Sequence, residues 1–409
     1  MIEQFRYPTV DTSACLVLGV AMMMSFGCEQ VSDVVDDVQS SVNDSSEAAD
    51  SPGESSALAE SDGTNSLTGS TADLADSPPL DPAQMVADFQ SLSPERVTDS
   101  QLQRLVDSPE AAAQIESIHV ASTDFTVAGL RLLSKLENLK TLSIASVRLT
   151  PDQLAELSQV QSLEDLAIRA TLADDSTIAE LARLPELTSL DASATRITPA
   201  AAADFGRMKQ LNQVMLESTL IDDSVVTQLA QLPLQHVDLS KTMITSASIQ
   251  PLLAISSLQH LNVASTRVTG DAFDGISRTN LQHLNVSDTG FGIDGFANLK
   301  NMKSLEVLYA HAAGLVEHRR VDVFTSMPNL KVLRAGGNAI TDAGMDVFFK
   351  GHRSLEELFL NENKGITDRG LSALVNVKTL KRLSLYGTRC TAAGAQQLKQ
   401  RLPDCEILM

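Results

Sequence analysis

From Ile115 onward the chain repeats one pattern of apolar and polar positions. Aligned on the hexapeptide Leu258-Gln259-His260-Leu261-Asn262-Val263, units begin at Ile115, Leu139, Leu163, Leu187, Leu211, Leu234, Leu258, Leu281, Leu305, Leu330, Leu355 and Leu380, at intervals of 23–25 residues. Places one, four and six are apolar in all twelve units. Places four and six alternate with the mostly polar places three and five, which is the period of two of a strand. Place nine is Thr in eight units and Asn in two, Asn338 and Asn363. A small side chain with an oxygen there can bind the N–H groups of a turn, and stacked units would join such residues into an internal polar ladder.

The second half of each unit predicts a helix. Thr150-Pro151-Asp152-Gln153 supplies an N-cap Thr, a Pro at the first helical position and a Gln at the third. Thr198-Pro199, Thr341-Asp342 and Thr367-Asp368 follow the same logic, and Leu154, Leu157 and Val160 recur at helical spacing. A strand and a helix cannot close a core within about 24 residues, whereas stacked neighbours bury the apolar places continuously. The expected fold is therefore an α/β solenoid over 115–409, with a parallel sheet on one side and helices on the other.

These residues resemble leucine-rich repeats. Ile340-Thr341-Asp342-Ala343-Gly344 and Ile366-Thr367-Asp368-Arg369-Gly370 resemble the cysteine-containing subclass found in F-box adaptors and in many exported bacterial proteins. The resemblance covers 115–409 and, through the degenerate Val97-Thr98-Asp99-Ser100-Gln101-Leu102, extends back to 97. It implies a right-handed horseshoe of about 12 repeats, sheet concave and helices convex, that binds a partner protein without catalysis. Taken literally, the F-box likeness also implies a ubiquitin-ligase substrate adaptor. No segment before the repeats reads as an F-box module.

A solenoid needs covered ends. Residues 83–114, with the amphipathic Met85-Val86-Ala87-Asp88-Phe89, are the expected N-terminal helical cap, and Leu402-Pro403-Asp404-Cys405-Glu406-Ile407-Leu408-Met409 the C-terminal closure. The unit beginning at Leu305 departs from the pattern: it lacks the Thr and the Thr-Asp turn and carries Glu317-His318-Arg319-Arg320 instead.

The N-terminus reads differently. Ala14–Gly27 is apolar and small throughout, too short to span a bilayer but suited to the core of a signal peptide. Ser25-Phe26-Gly27-Cys28 resembles a bacterial lipobox closing a signal segment over 1–28, which implies that Cys28 is lipidated and becomes the mature N-terminus. Residues 29–82 are rich in Ser, Asp, Ala, Gly and Glu and are the expected disordered tether. Between Glu29 and Glu95 there are fifteen acidic residues and no Lys or Arg. Most of the net charge of −21 thus lies in one segment, and the repeats are only mildly acidic. No part carries the basic footprint of a nucleic-acid binder. The expected location is extracytoplasmic, periplasmic or cell-surface, with membrane contact only through the lipid.

No nucleophile elbow, phosphate loop, HExxH or CxxC is present, and no cofactor is implied. Asp174-Asp175 and Asp222-Asp223 fall where helices start, a structural position for carboxylates. Cys390 and Cys405 are either a disulfide or two apolar thiols. The candidate chemistry lies on the outward strand places. Place three carries His236, His260 and His283 in step, with Asp238, Asn262 and Asn285 beside them at place five. Further on come Tyr309, His311, Arg334, Glu357, Phe359, Asn361, Arg382 and Tyr386. Tyr and Arg dominate interface energetics, so this half is the expected partner footprint. The aromatic row is also a candidate for a glycan or small ligand. The three His are a candidate Zn²⁺ or Cu²⁺ site with Asp238, a pH-sensitive cluster, or the trace of a duplicated unit.

Overall fold

The computed structural model describes residues 81–316 and 323–409. The signal-like segment, Cys28 and all but the last two residues of the acidic tether lie outside these ranges, as do Glu317-His318-Arg319-Arg320.

Thirteen parallel strands form one sheet in strict chain order, from β1 (Ser117–Val120) to β13 (Glu406–Leu408). Twelve are the units read from the sequence. The thirteenth comes from the closing segment, where Glu406 sits in register with Arg382. Each strand is three or four residues long, with place four buried against the helical side and its neighbours facing outward. Register is invariant, place on place, along the sheet.

What holds that register is a turn the sequence does not advertise. Place eight is left-handed in unit after unit: Ser146, Ala170, Ala194, Ser218, Lys241, Ser265, Asp288, Ala312 and Glu362 all have φ between 45° and 60°. Non-glycine residues rarely sit there. Here each N–H donates to the place-seven carbonyl of the next unit, as Ala194 does to Glu217 at 2.7 Å and Ser265 to Ser287 at 2.8 Å. The hydrogen bond offsets the local strain and carries the ladder two residues beyond the strand.

Place nine then closes the turn. The hydroxyls of Thr171, Thr195, Thr219, Thr242, Thr266, Thr289 and Thr388 donate to the place-six carbonyl of their own unit at 2.6–2.7 Å. The expected ladder between units is thus absent from the Thr stretch: a hydroxyl there reaches a carbonyl three residues back, not the neighbouring turn. The longer Asn side chains do cross. Asn338 accepts from the N–H groups of Ala313 and Leu315, and Asn363 from those of Asn338 and Ile340.

The helical side is built from short helical segments. True helices such as Asp175–Leu181 and Asp342–Phe349 alternate with 3₁₀ segments such as Gly370–Leu374. Twenty-four residues, less strand and turns, leave room for little more. At several units an aspartate at the helix start clips it to the next unit. Asp175 accepts from the N–H and hydroxyl of Thr198, Asp342 from those of Thr367, and Asp368 from those of Thr391, all at 2.6–2.7 Å. The preceding Asp174 and Asp222 cap their own helices through Ser176 and Ser224. Behind the strands from His260–Asn262 to Glu357–Phe359 a chain of buried Phe rings runs along the core, mostly edge to face, from Phe273 and Phe291 at 4.9 Å to Phe324 and Phe348 at 5.7 Å.

The N-terminal end is covered by the helices Pro82–Gln90, Asp99–Val106 and Pro109–Ala112, whose Val86, Phe89, Leu102 and Leu105 extend the core. The Pro94 carbonyl accepts from the Ala121 N–H, occupying a donor on the first strand's outer edge.

Two glycines in one unit separate packing from backbone strain. A Cβ on Gly270 would meet the Phe291 carbonyl and the backbone of Gly295 in the next unit, while Gly275 (φ 81°) has open space around it. Gly270→Ala is expected to lower stability by about 1–3 kcal/mol or more through overpacking. Gly275→Ala should cost about 1 kcal/mol through its left-handed φ alone. The order of the two urea midpoints checks this.

Candidate binding face

Because parallel strands sit about 4.8 Å apart, equal places form rows on the open side of the sheet. β6 (His236–Asp238), β7 (His260–Asn262) and β8 (His283–Asn285) bring the three His into one row. Their rings stack. His236 and His260 have centroids 4.1 Å apart at 21°, and His260 and His283 4.0 Å apart at 41°. Imidazole lone pairs lie in the ring plane, so stacked rings point them side by side instead of toward one ion, and ligation needs nitrogens within about 2 Å of a common point. Among the described residues no group of three His, Cys, Asp or Glu could hold a metal ion. The Zn²⁺ or Cu²⁺ alternative loses its geometric basis.

Asp238, Asn262 and Asn285, expected beside the His as free recognition groups, are mostly tied into the backbone. Each accepts from the N–H two residues on, at Ser240, Ala264 and Ser287, and Asp191 does the same to Ser193. These are Asx turns that end the strands. Asp238 also accepts from the Ser240 hydroxyl and from Asn262 Nδ2 at 2.8 Å, and it is buried. Burial raises its pKa against these hydrogen bonds, with the Glu217 charge adding to the rise. Asp238 is therefore withdrawn from the face by its own turn. The signal was legible: Asp or Asn at place five precedes a small residue at place seven in all four units.

Further along, β9 (Val307–Tyr309), β10 (Val332–Arg334) and β11 (Glu357–Phe359) set Tyr309, Arg334 and Phe359 in one row. The Arg334 guanidinium carbon lies 4.6 Å from the Tyr309 ring centroid and 5.0 Å from that of Phe359. One cation is held between two aromatic faces. His311, at place seven, is exposed and its ring lies beside Gly336. Beyond, on β12 (Arg382–Ser384), Arg382 is ion-paired to Glu357, and Ser384 donates to Asn361 at 2.6 Å. Tyr386 stands 64% exposed, the most accessible large apolar side chain described. In the earlier half, Glu217 accepts from both Arg169 and Lys241 at 3.1 Å. Such exposed pairs contribute at most about 1 kcal/mol each.

The family described as "Leucine Rich repeat" matches residues 351–375. No curated protein matches the chain. Among solved structures, an internalin from Listeria monocytogenes is 18% identical over 80% of this chain and 93% of that one, with a TM-score of 0.50. A leucine-rich-repeat protein of Leptospira interrogans is 17% identical over 74% of each chain (TM-score 0.49), and a yeast complex of Rad7 and Elc1 is 16% identical over 80% of this chain and 83% of that one (TM-score 0.49). The family match and the internalin agree with thirteen ordered parallel strands backed by helices. The chain folds as a leucine-rich-repeat solenoid.

At the C-terminal end of the leucine-rich repeats, Cys390 and Cys405 are both free thiols, half-buried and buried respectively. Burial raises both, Cys405 to about 11. At neutral pH they are protonated and unreactive, which matches the small-apolar reading.

Burial also governs the His row. It lowers His236 and His283, and it takes His260 to about 3 with the charges of His283 and His236 adding to the effect. For His283, Glu306 opposes the fall while His236 and Lys331 reinforce it. A folded-state value below the free-imidazole value means that the unfolded chain binds more protons once pH falls below about 6.5. The associated stability is fully present above about 6.5 and is lost as pH drops toward the folded values. His260→Gln is expected to remove on the order of 1 kcal/mol of the loss between pH 7 and pH 5. Urea midpoints of both proteins at the two pH values read this out; parallel shifts would contradict it.

Proposed function

We propose that this solenoid is a non-enzymatic, extracytoplasmic binding scaffold, anchored to a membrane through a lipid on Cys28 and taking a partner protein on the open face of its sheet, from β6 to β12. The leucine-rich-repeat fold supports protein binding in general. The signal-like Ala14–Gly27 and the acidic segment after Cys28 support the anchor and tether.

The observation that carries the footprint is the Tyr309–Arg334–Phe359 stack. It concentrates a half-buried cation and two aromatic rings, the residue types of interface hot spots, on a rigid sheet. The same stack weakens the glycan reading. Sugars pack on open aromatic faces, and Arg334 already covers Tyr309 on one side and Phe359 on the other. Tyr386 alone remains broadly exposed.

Crosslinking and mass spectrometry in the native cell identifies the partner, with Cys28→Ser as the localisation control. Combined alanine substitution of Tyr309, Arg334 and Phe359 is expected to reduce recovery of that partner at least tenfold while thermal unfolding shows the sheet intact. Undiminished recovery would move the footprint off this stretch. Release of the Cys28→Ser protein from the membrane fraction tests the anchor separately.

A further inference from the structure

We propose that Arg334 is a receptor for a single carboxylate of the partner, an Asp or Glu side chain or a chain terminus. This deepens the partner-face reading and rests on it.

Arg334 is the anomaly on this face. On its own and the neighbouring strands, or one residue before them, Lys331 is paired to Glu306 at 2.7 Å, Lys381 to Glu356 at 2.6 Å, and Arg382 to Glu357. Arg334 has no carboxylate within ion-pair distance among the described residues, although the basic residues nearest to it on the face do. Its Nε is buried with no hydrogen-bond partner, whereas the two terminal nitrogens are not buried with it. A buried donor left unpaired costs about 1–3 kcal/mol, so a fold ordinarily avoids one. Arg334 is nevertheless held in place, because Tyr309 and Phe359, from the strands on either side, flank its guanidinium.

That geometry selects the ligand. With Nε buried and a ring on either side, the terminal nitrogens are what an acceptor can reach. A carboxylate does so bidentately across the terminal nitrogens. The strand closes the other approach. Gly336, two residues on, has no side chain, and an added Cβ would come within 2.9 Å of His311 Nδ1 and 3.0 Å of the Asn361 carbonyl. The space over Gly336 is thus filled by the imidazole and backbone, and an acceptor reaches Arg334 from the open side of the sheet. Charge decides between oxyanions. The three ion pairs on these strands are each self-neutralised, leaving one positive charge, which matches a carboxylate monoanion and leaves a phosphate dianion uncompensated.

The test uses the full chain, labelled with ¹⁵N, and follows the Arg334 Nε–H resonance, assigned by its loss in Arg334→Lys. N-acetylglutamate α-amide is the probe. N-acetylglutamine amide is the neutral control and N-acetylphosphoserine amide the dianionic one. The expected result is a saturable shift in the millimolar range with the glutamate probe, no saturable shift with the glutamine control, and at least threefold weaker binding of the phosphoserine compound. Tyr309→Phe, which keeps the ring, should leave the glutamate affinity within about twofold. Tyr309→Ala and Phe359→Ala, which remove one flanking ring each, should weaken it at least threefold. No saturable shift, an equal shift with the glutamine control, or tighter binding of phosphoserine overturns the proposal. None of those outcomes bears on whether a protein partner uses the face, because no partner is present in the tube. Conversely, a partner found elsewhere on the chain would leave a positive titration standing as a site without that occupant.

Discussion

The structure depends on one backbone hydrogen bond repeated along the solenoid: the N–H of a left-handed place-eight residue donating to the place-seven carbonyl of the next unit. A three-residue strand offers few ladder bonds of its own. This extra bond lengthens each pairing and fixes where the chain turns away from the sheet. It also leaves no freedom of register, since a slip of one residue would turn the buried place four outward. The aspartate-to-threonine clips on the helical side act in the same direction, tying several helix starts to the following unit. Between the two, the apolar places stack into one core with no unit able to stand alone.

Fixed register is what turns sequence repetition into surface chemistry. Three His copied at the same place become three stacked rings about 4 Å apart, and a Tyr, an Arg and a Phe from three units become a cation between two aromatic faces. The two rows differ in what remains unsatisfied. The His row is neutral, stacked, and flanked by Asx turns that have used most of their polar atoms. The Arg row keeps a buried donor and an open guanidinium edge. Similar positions in one sheet thus yield a structural feature at β6 to β8 and an open chemical demand at β9 to β11.

Periodicity made the fold legible, because places one, four and six carry burial directly. Twelve of the thirteen strands follow from it. β13 lies in the closing segment, too short to show a period of its own. The left-handed turn was not legible, since Ser, Ala, Lys and Glu at place eight have no local reason to adopt it; the cause is a carbonyl some two dozen residues away. The Thr hydroxyls at place nine were read toward N–H groups and bind carbonyls, a choice set by turn geometry alone. On the face, the residues at outward places were identifiable from spacing, but their partners were not. Asp238 reads as an exposed acid until its Asx turn is seen, and Arg334 reads as one hot-spot candidate among several until its ion-paired neighbours are subtracted.

The most direct measurement of the account is site-specific photocrosslinking in the native cell, with p-benzoylphenylalanine at Tyr386 on the open face and, separately, at the exposed Gln397 on the last helix. The account predicts a discrete protein adduct from position 386 and none from position 397. Adducts from 397 alone, or the same adducts from both, would contradict the assignment of the sheet face as the surface through which this solenoid works.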